Sequence, residues 1–428
     1  MSESRNHNRA SRVAEAMVRI YRAGLTTTSG GNISVRDARD NVWITPGAVD
    51  KGSLSAGDIV FMSPDGTATG RHEPSSEYPF HRAIYDRCPQ LNAIVHAHPA
   101  ALVACSIVKS MPSMQVIPRA SRICSGVGYA PYAMTGSEAL GVNISAEFSK
   151  GHQAVIMENH GTVVGGHDLD DAITRFQVFE SVAKTVVKAS SLGGPQSLSD
   201  EQVRCYGSQI PGDLPESGQM PYNKQEADLR ALVSGLVHRA CVQGMLLSSF
   251  GSFSTRLEDD DFLVTPRDMM CRNVGPGELV RIRGGCSESG KQPSRTALVY
   301  REIFRANPGV NTVISARPPN LAAFAVAGIK PDVRTIPESW LFLRDMPLVE
   351  FGMPYGDTGG FARLFGPDHP VVLVANDAVF VSGDQPLETF DRLEVAEFTA
   401  RSLLMSRPMG ELSLISDEQI RDLQQKFF

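Results

Sequence analysis

The sequence lacks the marks of a secreted, membrane-spanning or nucleic-acid-binding chain. Its seven cysteines (Cys88, Cys105, Cys124, Cys205, Cys241, Cys271 and Cys286) are odd in number, scattered and never in C-x-x-C spacing. That excludes a disulfide framework or a zinc ribbon as the organising device and leads to the expectation of reduced thiols in a cytoplasmic protein. Long apolar runs are missing: the longest, around Ala100 to Val108, is far too short to span a bilayer. Met1 to Ala16 is polar and has no apolar centre, so no signal peptide is read there. Positive charge is also short, with a net charge of −6 and no basic cluster interleaved with aromatics. A nucleic-acid partner and a membrane partner are therefore not expected, and a small-molecule substrate is.

What is present is ordinary for a globular chain, at 42% hydrophobic and 21% charged residues. A length of 428 residues is more than one core usually holds, so two domains of about 200 residues each are expected. Helical and strand patterns alternate along both halves, which places the chain in the α/β class.

The most informative stretch is Ile94-Val95-His96-Ala97-His98-Pro99. The β-branched pair reads as the end of a buried strand, stopped by the proline. Alternate residues of a strand share a face, so His96 and His98 point the same way, about 7 Å apart along the strand. Such a pair can share one divalent cation. Alone it is a weak signal, because two inert histidines at a strand end look the same. Its company strengthens it: Pro74-Ser75-Ser76-Glu77 lies upstream, and an apolar run ending in Asn159-His160-Gly161 lies downstream. Three neutral imidazoles with an open position make a reactive metal site rather than a closed structural one.

The order of these landmarks is written twice. Thr45-Pro46 returns as Thr265-Pro266, Pro74-Ser75 as Pro293-Ser294, Pro99 as Pro318, Pro131-Tyr132 as Pro354-Tyr355, and Ser199-Asp200-Glu201-Gln202 as Ser416-Asp417-Glu418-Gln419, at an offset of about 220 positions. The expected division is residues 1–206, a Gly/Pro/Ser-rich linker over 207–221, and residues 222–428. The second copy lacks the chemistry. By the same offset Glu77 becomes Thr296, His96 becomes Ser315, His98 becomes Arg317 and Asn159-His160 becomes Asn376-Asp377.

Taken together, Ser-Gly-Gly-Asn-Ile-Ser at 29–34, Thr-Pro-Gly at 45–47, Pro-Ser-Ser-Glu at 74–77, His-Ala-His at 96–98, Ala-Pro-Tyr at 130–132 and Asn-His-Gly at 159–161 resemble the class II aldolase/adducin family. Within it they are most similar to the sugar-phosphate aldolases of the fuculose-1-phosphate type. The second copy resembles the same family in degenerate form. The resemblance implies a three-layer α/β/α fold in each copy, with a mostly antiparallel central sheet flanked by helices. It implies a homo-oligomer, here a dimer whose four domains form a pseudo-four-fold ring.

The same resemblance implies Zn²⁺, with Fe²⁺ or Mn²⁺ as alternatives, on His96, His98 and His160. It implies Glu77 as the acid/base beside the metal, and Ser29, Asn32, Gly47, Ser75 and Ser76 as binders of the substrate's anionic group. Amides and hydroxyls at a helix start suit an anion, although Ser75 and Ser76 read equally well as helix caps. Thr45-Pro46-Gly47-Ala48 departs from the family's more hydroxyl-rich loop. In the family's rings a tyrosine is lent to the neighbouring site; Tyr355 is the candidate lender to the live site, with Tyr132 facing the degenerate one. The implied activity is a metal-dependent lyase making or breaking a carbon–carbon bond of a small hydroxy-carbonyl compound through an enediolate. Decarboxylation, dehydration, epimerisation and non-haem iron oxidation on the same site are alternatives. So is an adducin-like scaffold without catalysis.

Overall fold

The computed structural model describes residues 2–209, 212–258 and 260–427. The chain forms two compact units. The first runs to Met114 and resumes over Arg119–Lys184; the second comprises Gln115–Pro118 and everything from Thr185 onward. This boundary falls earlier than the expected 206/207. The tail of the first copy is held by second-unit atoms: the Gln196 amide donates to the Val326 carbonyl at 2.7 Å and Asn376 Nδ2 donates to the Gln196 carbonyl at 2.7 Å. The expected linker 207–221 is not free of structure either, since Glu216–Ser217 joins the second sheet; residues 210 and 211 of that stretch lie outside the described residues.

The first unit carries strands β1 (Asn32–Arg36), β2 (Val42–Ile44), β3 (Val60–Met62), β4 (Ala68–Thr69), β5 (Ala93–Ala97), β6 (Val127–Ala130), β7 (Ala154–Met157) and β8 (Thr162–Gly166). They form one sheet in the order β4-β3-β2-β1-β5-β8-β7-β6. Every pairing is antiparallel except β6 on β7. The stretch 126–136 reads as a loop in sequence because of Gly126, Gly128 and Pro131; its strand β6 is a short parallel edge strand, where such residues are tolerated.

Strand alternation splits the apolar residues between two faces. Val42, Ile44, Val60, Ile94, Val155 and Val163 pack with Phe80 and Ile84 of the helix Tyr78–Arg87 and with Leu140 and Ile144 of the helix Glu138–Ser149. Trp43 points the other way, where the Arg9 guanidinium of the N-terminal helix Ser2–Arg22 stacks 5.1 Å from its ring. Helices thus cover both faces of the sheet, giving the expected three layers.

The second unit carries β9 (Glu216–Ser217), β10 (Ser252–Glu258), β11 (Asp261–Val264), β12 (Val280–Arg283), β13 (Cys286–Glu288), β14 (Thr312–Ala316), β15 (Leu348–Val349), β16 (Val371–Val374) and β17 (Val379–Gly383). Their order is β15-β16-β17-β14-β10-β11-β12-β13-β9. Apart from the added edge strand β9, this repeats the permutation of the first sheet. The turns repeat as well: Asn159 and Asn376 both take positive φ (52° and 56°), and the bridge Pro46–Pro74 returns as Pro266–Pro293.

Two expectations are corrected. Cys241 and Cys271 are joined as a disulfide, so the cysteines are not all free thiols. The end of the helix Lys224–Val242 and the short turn Cys271–Asn273 bring their Cα atoms to 6.0 Å, a separation no sequence spacing announces. Pro354-Tyr355 is also not the structural counterpart of Pro131-Tyr132. Ala130 pairs with Met157 and Val349 with Val374, so two residues on, Tyr132 corresponds to Phe351, while Tyr355 lies in the helical turn Met353–Gly356. Among the described residues no helix is long and apolar enough to cross a membrane.

Candidate metal centre

The site is assembled from three places on the first sheet. His96 sits on the central strand β5, paired with Asn32 on β1 and with Val163 on β8. Being two residues from Ile94, it shares the face covered by the helix Tyr78–Arg87, and its ring meets Phe80 edge-on at 5.6 Å. His98 follows the strand end. It fits only because residue 161 is glycine: a Cβ there would lie 2.6 Å from the His98 ring. His160 is delivered by the turn between β7 and β8, where Asn159 takes the left-handed conformation that asparagine tolerates. The three ring centroids lie 4.7, 5.0 and 5.1 Å apart, and one nitrogen of each converges within 4.8 Å of the others. Among the described residues this is the one such grouping of potential ligands.

The protonation pattern suits a cation. His96 Nδ1 donates to the Thr162 carbonyl at 2.9 Å. A carbonyl only accepts, so Nδ1 carries a proton and Nε2 is the nitrogen turned to the centre; burial lowers His96, but Glu77 beside Nε2 outweighs burial and raises it, so a metal there competes with a proton. Burial, followed by the neighbouring imidazoles, pushes His98 down to about 3; burial and then His96 push His160 down to about 4. Both are therefore neutral ligands at neutral pH. His98 Nε2 and Glu77 Oε1 are buried with no hydrogen-bond partner. Orphaned atoms of this kind need an explanation, and a divalent cation between them supplies one.

Glu77 stands at the start of the helix Tyr78–Arg87, in the Pro-Ser-Ser-Glu turn. Its Oε2 lies 3.1 Å from His96 Nε2 and its Oε1 3.4 Å from His160 Nε2. Burial alone would raise its carboxyl, but the two imidazoles outweigh that and hold it well below the usual carboxylate range.

Asn32 fixes this carboxylate. Its Nδ2 donates to Glu77 Oε2 at 2.7 Å and to Ser75 Oγ at 3.0 Å, while its Oδ1 faces His81 Nε2 at 2.5 Å. Both amide hydrogens are thus used inside the protein. His81 is fully buried, pushed down to about 3 by burial and then His96, and its Nδ1 meets Ser34 Oγ at 2.7 Å. Ser34 in turn contacts the Tyr85 hydroxyl at 2.7 Å. Ser34 closes the 29–34 motif but was assigned no role there, and Tyr85 carried no sequence signal; their places on β1 and one turn after His81 make sense only once the helix lies on the sheet.

The other sequence candidates divide. Ser75 Oγ accepts from Asn32 and from the Glu77 amide, the latter at 3.3 Å, and so closes the turn that precedes the helix without capping it. Ser29 and Ser76 are exposed, and Gly47 lies against the Ser75–Ser76 backbone. Tyr132 is exposed, its amide held by Glu158 at 3.0 Å. Tyr355 is half-buried in the second unit, edge-on to Tyr206 at 5.9 Å.

At the matching place the second unit has no imidazole. The Arg317 guanidinium is ion-paired with Asp377, and Ser252, Thr296, Tyr300 and Ser315 form a hydroxyl network, with Ser252 Oγ 2.6 Å from Thr296 Oγ1 and Tyr300 donating to Ser315 at 2.8 Å. A tethered cation and its counter-ion stand where the first unit presents three ligands.

The chain is similar to several known proteins. The chain is 33% identical over 178 residues to the 3-oxo-tetronate 4-phosphate decarboxylase of Haemophilus influenzae, covering 40% of this chain and 84% of the relative. It is 30% identical over 200 residues to the L-fuculose phosphate aldolase of Escherichia coli, covering 45% of this chain and 90% of the relative. Among solved structures, an L-fuculose 1-phosphate aldolase is 28% identical, with a TM-score of 0.43 over 46% of this chain and 93% of that one. The model described as the class II aldolase and adducin N-terminal domain matches residues 11–187 and 233–404, and the chain belongs to that family.

Proposed function

We propose that the first unit is a zinc-dependent lyase that makes or breaks a carbon–carbon bond next to the carbonyl of a small hydroxy-carbonyl compound. The observation that carries this is the Glu77 carboxylate, buried and 3.1 and 3.4 Å from two of the three converging imidazoles. His96, His98 and His160 would hold the ion, which when bound supplies Lewis acidity towards a carbonyl oxygen. Imidazoles suit zinc, and they suit iron or manganese to a lesser degree. Glu77, ionised and desolvated, takes a proton from a substrate hydroxyl or carbon held beside it. Asn32 keeps that carboxylate aimed, with one of its two amide hydrogens on Oε2. The buried wall of Phe80 and Ile94 keeps bulk water from that side.

A second reading is favoured by one comparison. The 33% identical relative is named a decarboxylase acting on a phosphorylated tetronate, and the 30% identical one an aldolase acting on a phosphorylated sugar. Loss of carbon dioxide from a 3-oxo acid and retro-aldol cleavage both leave electron density next to a carbonyl, so the same ligand set and carboxylate serve either. A panel of hydroxy-carbonyl compounds and 3-oxo acids, each with and without a phosphate, separates the two. Aldehyde release marks the aldolase and carbon dioxide release the decarboxylase. No turnover of any compound by the metal-loaded protein contradicts both.

A further inference from the structure

An ion pair between Lys109 and Glu158 lies beside the metal centre. Glu158 follows strand β7 and stands two residues before His160, at the start of the turn that delivers that ligand. It grips the neighbouring edge strand twice. Its amide donates to the Ala130 carbonyl at 3.0 Å, and its Oε2 accepts from the Tyr132 amide at 3.0 Å. Its other oxygen, Oε1, meets Lys109 Nζ. Asn143, on the helix Glu138–Ser149, donates from Nδ2 to the Pro131 carbonyl at 3.1 Å. The Pro131 carbonyl and the Tyr132 amide are the two polar groups of one peptide plane. That plane is therefore held at both groups, and the Tyr132 side chain, 65% exposed, stands on a fixed mount.

Stability does not account for the ion pair. Lys109 follows the end of the helix Ala100–Ile107 with φ of 53°. Glycine takes this left-handed conformation at a helix end without cost, and a residue with a Cβ does not. The Lys109 side chain is largely exposed, and an ion pair so placed contributes little to stability. A strained backbone is thus kept for a weak contact, and strain of that kind gathers where position matters.

The second unit is an internal control. Its helix Pro319–Ala327 starts after Pro318 as the helix Ala100–Ile107 starts after Pro99. The two close in the same way: Ile329 N donates to the Phe324 carbonyl at 3.1 Å, as Ser110 N does to Cys105 at 3.0 Å. Gly328, just before Ile329 and with φ of 66°, stands where Lys109 stands. Ala375 N donates to the Val349 carbonyl at 3.0 Å as Glu158 N does to Ala130, so Ala375 stands where Glu158 stands. The main-chain geometry is kept, and both charged groups are gone. The pair is present in the unit that has the three imidazoles and absent from the unit that has lost them.

We propose that Lys109 and Glu158 are positioning residues. Together they lock the Pro131–Tyr132 peptide to the turn that carries His160, and so set the direction in which the Tyr132 phenol faces. Because Glu158 and His160 share one turn, the place of the phenol is tied to that of a metal ligand. This rests on the proposed lyase reading, in which a tyrosine moves a proton at a metal site.

The test compares the wild-type full chain with Lys109→Gly and Glu158→Ala, the residues the second unit has at these positions, and with Lys109→Arg, which keeps the cation. Hydrogen–deuterium exchange over residues 130–134 is followed by mass spectrometry. Thermal midpoint, metal content, and kcat and KM for whichever compound is turned over are measured alongside. In Lys109→Gly and Glu158→Ala the Tyr132 amide is expected to exchange about ten-fold faster or more, with metal content kept. Lys109→Gly keeps or raises the thermal midpoint, because glycine suits the left-handed turn. In both variants kcat falls by about ten-fold with KM little changed, and Lys109→Arg behaves as the wild type in every measure. Unchanged exchange in both variants, or faster exchange with kcat unchanged, would overturn the proposal. So would a lowered midpoint in Lys109→Gly with exchange and kcat unchanged, which marks the pair as a structural prop. No turnover of any compound by the wild type sinks the lyase reading instead, while exchange still decides whether the pair holds the loop.

Discussion

Glu77 Oε2 and His96 Nε2 face each other at 3.1 Å in the core of the first unit, one at the start of a helix and the other on the central strand that the helix covers. Each position is local to its own element, but the contact between them is not. The contact exists because Asn32, on the neighbouring strand β1 and paired with His96, holds the carboxylate from the far side. On the proposed reading this buried, ionised carboxylate beside three imidazoles is the acid/base. Glu77→Gln keeps the size and the Asn32 contact but removes the base. We expect turnover to fall by about 10²- to 10⁴-fold with metal content unchanged. Undiminished turnover in this variant would remove Glu77 from the mechanism.

On the proposed reading Asn32, which donates to Glu77 Oε2 at 2.7 Å, is a positioning residue. Asn32→Ala leaves the three histidines in place but frees the Glu77 carboxylate and unpairs His81 Nε2. Loss of a group that orients a metal site costs about 10- to 100-fold in activity or metal affinity. We expect the loss to appear in kcat, with KM little changed. A variant with a raised KM and wild-type kcat would show instead that Asn32 binds substrate.

Acid should weaken the first unit early. His81 and His98 are held at about 3 and His160 at about 4, each by burial first, while an unfolded histidine takes up its proton near 6.5. Between those values the unfolded state binds more protons, so stability is full above pH 6.5 and declines as pH falls through the window. Protons also compete with metal for His98 and His160. Thermal melts between pH 7 and 5.5, above the range where ordinary carboxylates titrate, should show a falling midpoint. A flat profile would contradict the buried, neutral assignment.

In the second unit the Arg317 side chain is 10% exposed and that of Asp377 2%. Arg317→Ala strands a buried carboxylate, which costs about 3–5 kcal/mol. We expect a lower urea midpoint with no change in metal content. A variant that loses metal would place a ligand in the second unit.

The two tyrosines separate by their surroundings. Tyr132 is 65% exposed, while Tyr355 packs against Tyr206 near Arg317. If a tyrosine from another copy of the chain donates a proton to the live site, the free phenol is the better placed. We expect Tyr132→Phe to lower kcat by about ten-fold or more and Tyr355→Phe to lower stability alone. The opposite result would support Tyr355 as the lending tyrosine.

The parts of the site legible in sequence are those that a short motif contains. His96, His98, His160 and Glu77 announce themselves because strand alternation, a left-handed turn and a helix start are local events. The repeat was legible because prolines and turn residues mark loops at matching places in both copies. Residues that act across elements were less legible. The role of Asn32 as a clamp depends on the register of β1 with β5. The mismatch of Tyr132 with Tyr355 arose because the second copy's loop is four residues longer between its edge strand and its Pro-Tyr pair, so a dipeptide match outweighed the register. The Cys241–Cys271 pair was hidden for the same reason: its halves meet only through the packing of a helix on a loop.

On the proposed reading, one unit holds a metal on three imidazoles and the other holds none. Elemental analysis of the purified chain, together with His98→Ala and His160→Ala, tests it most directly. We expect one equivalent of a divalent transition metal, zinc first, per chain in the wild type and essentially none in either variant. No metal in the wild type, or two equivalents, or one equivalent that survives both substitutions, would contradict it.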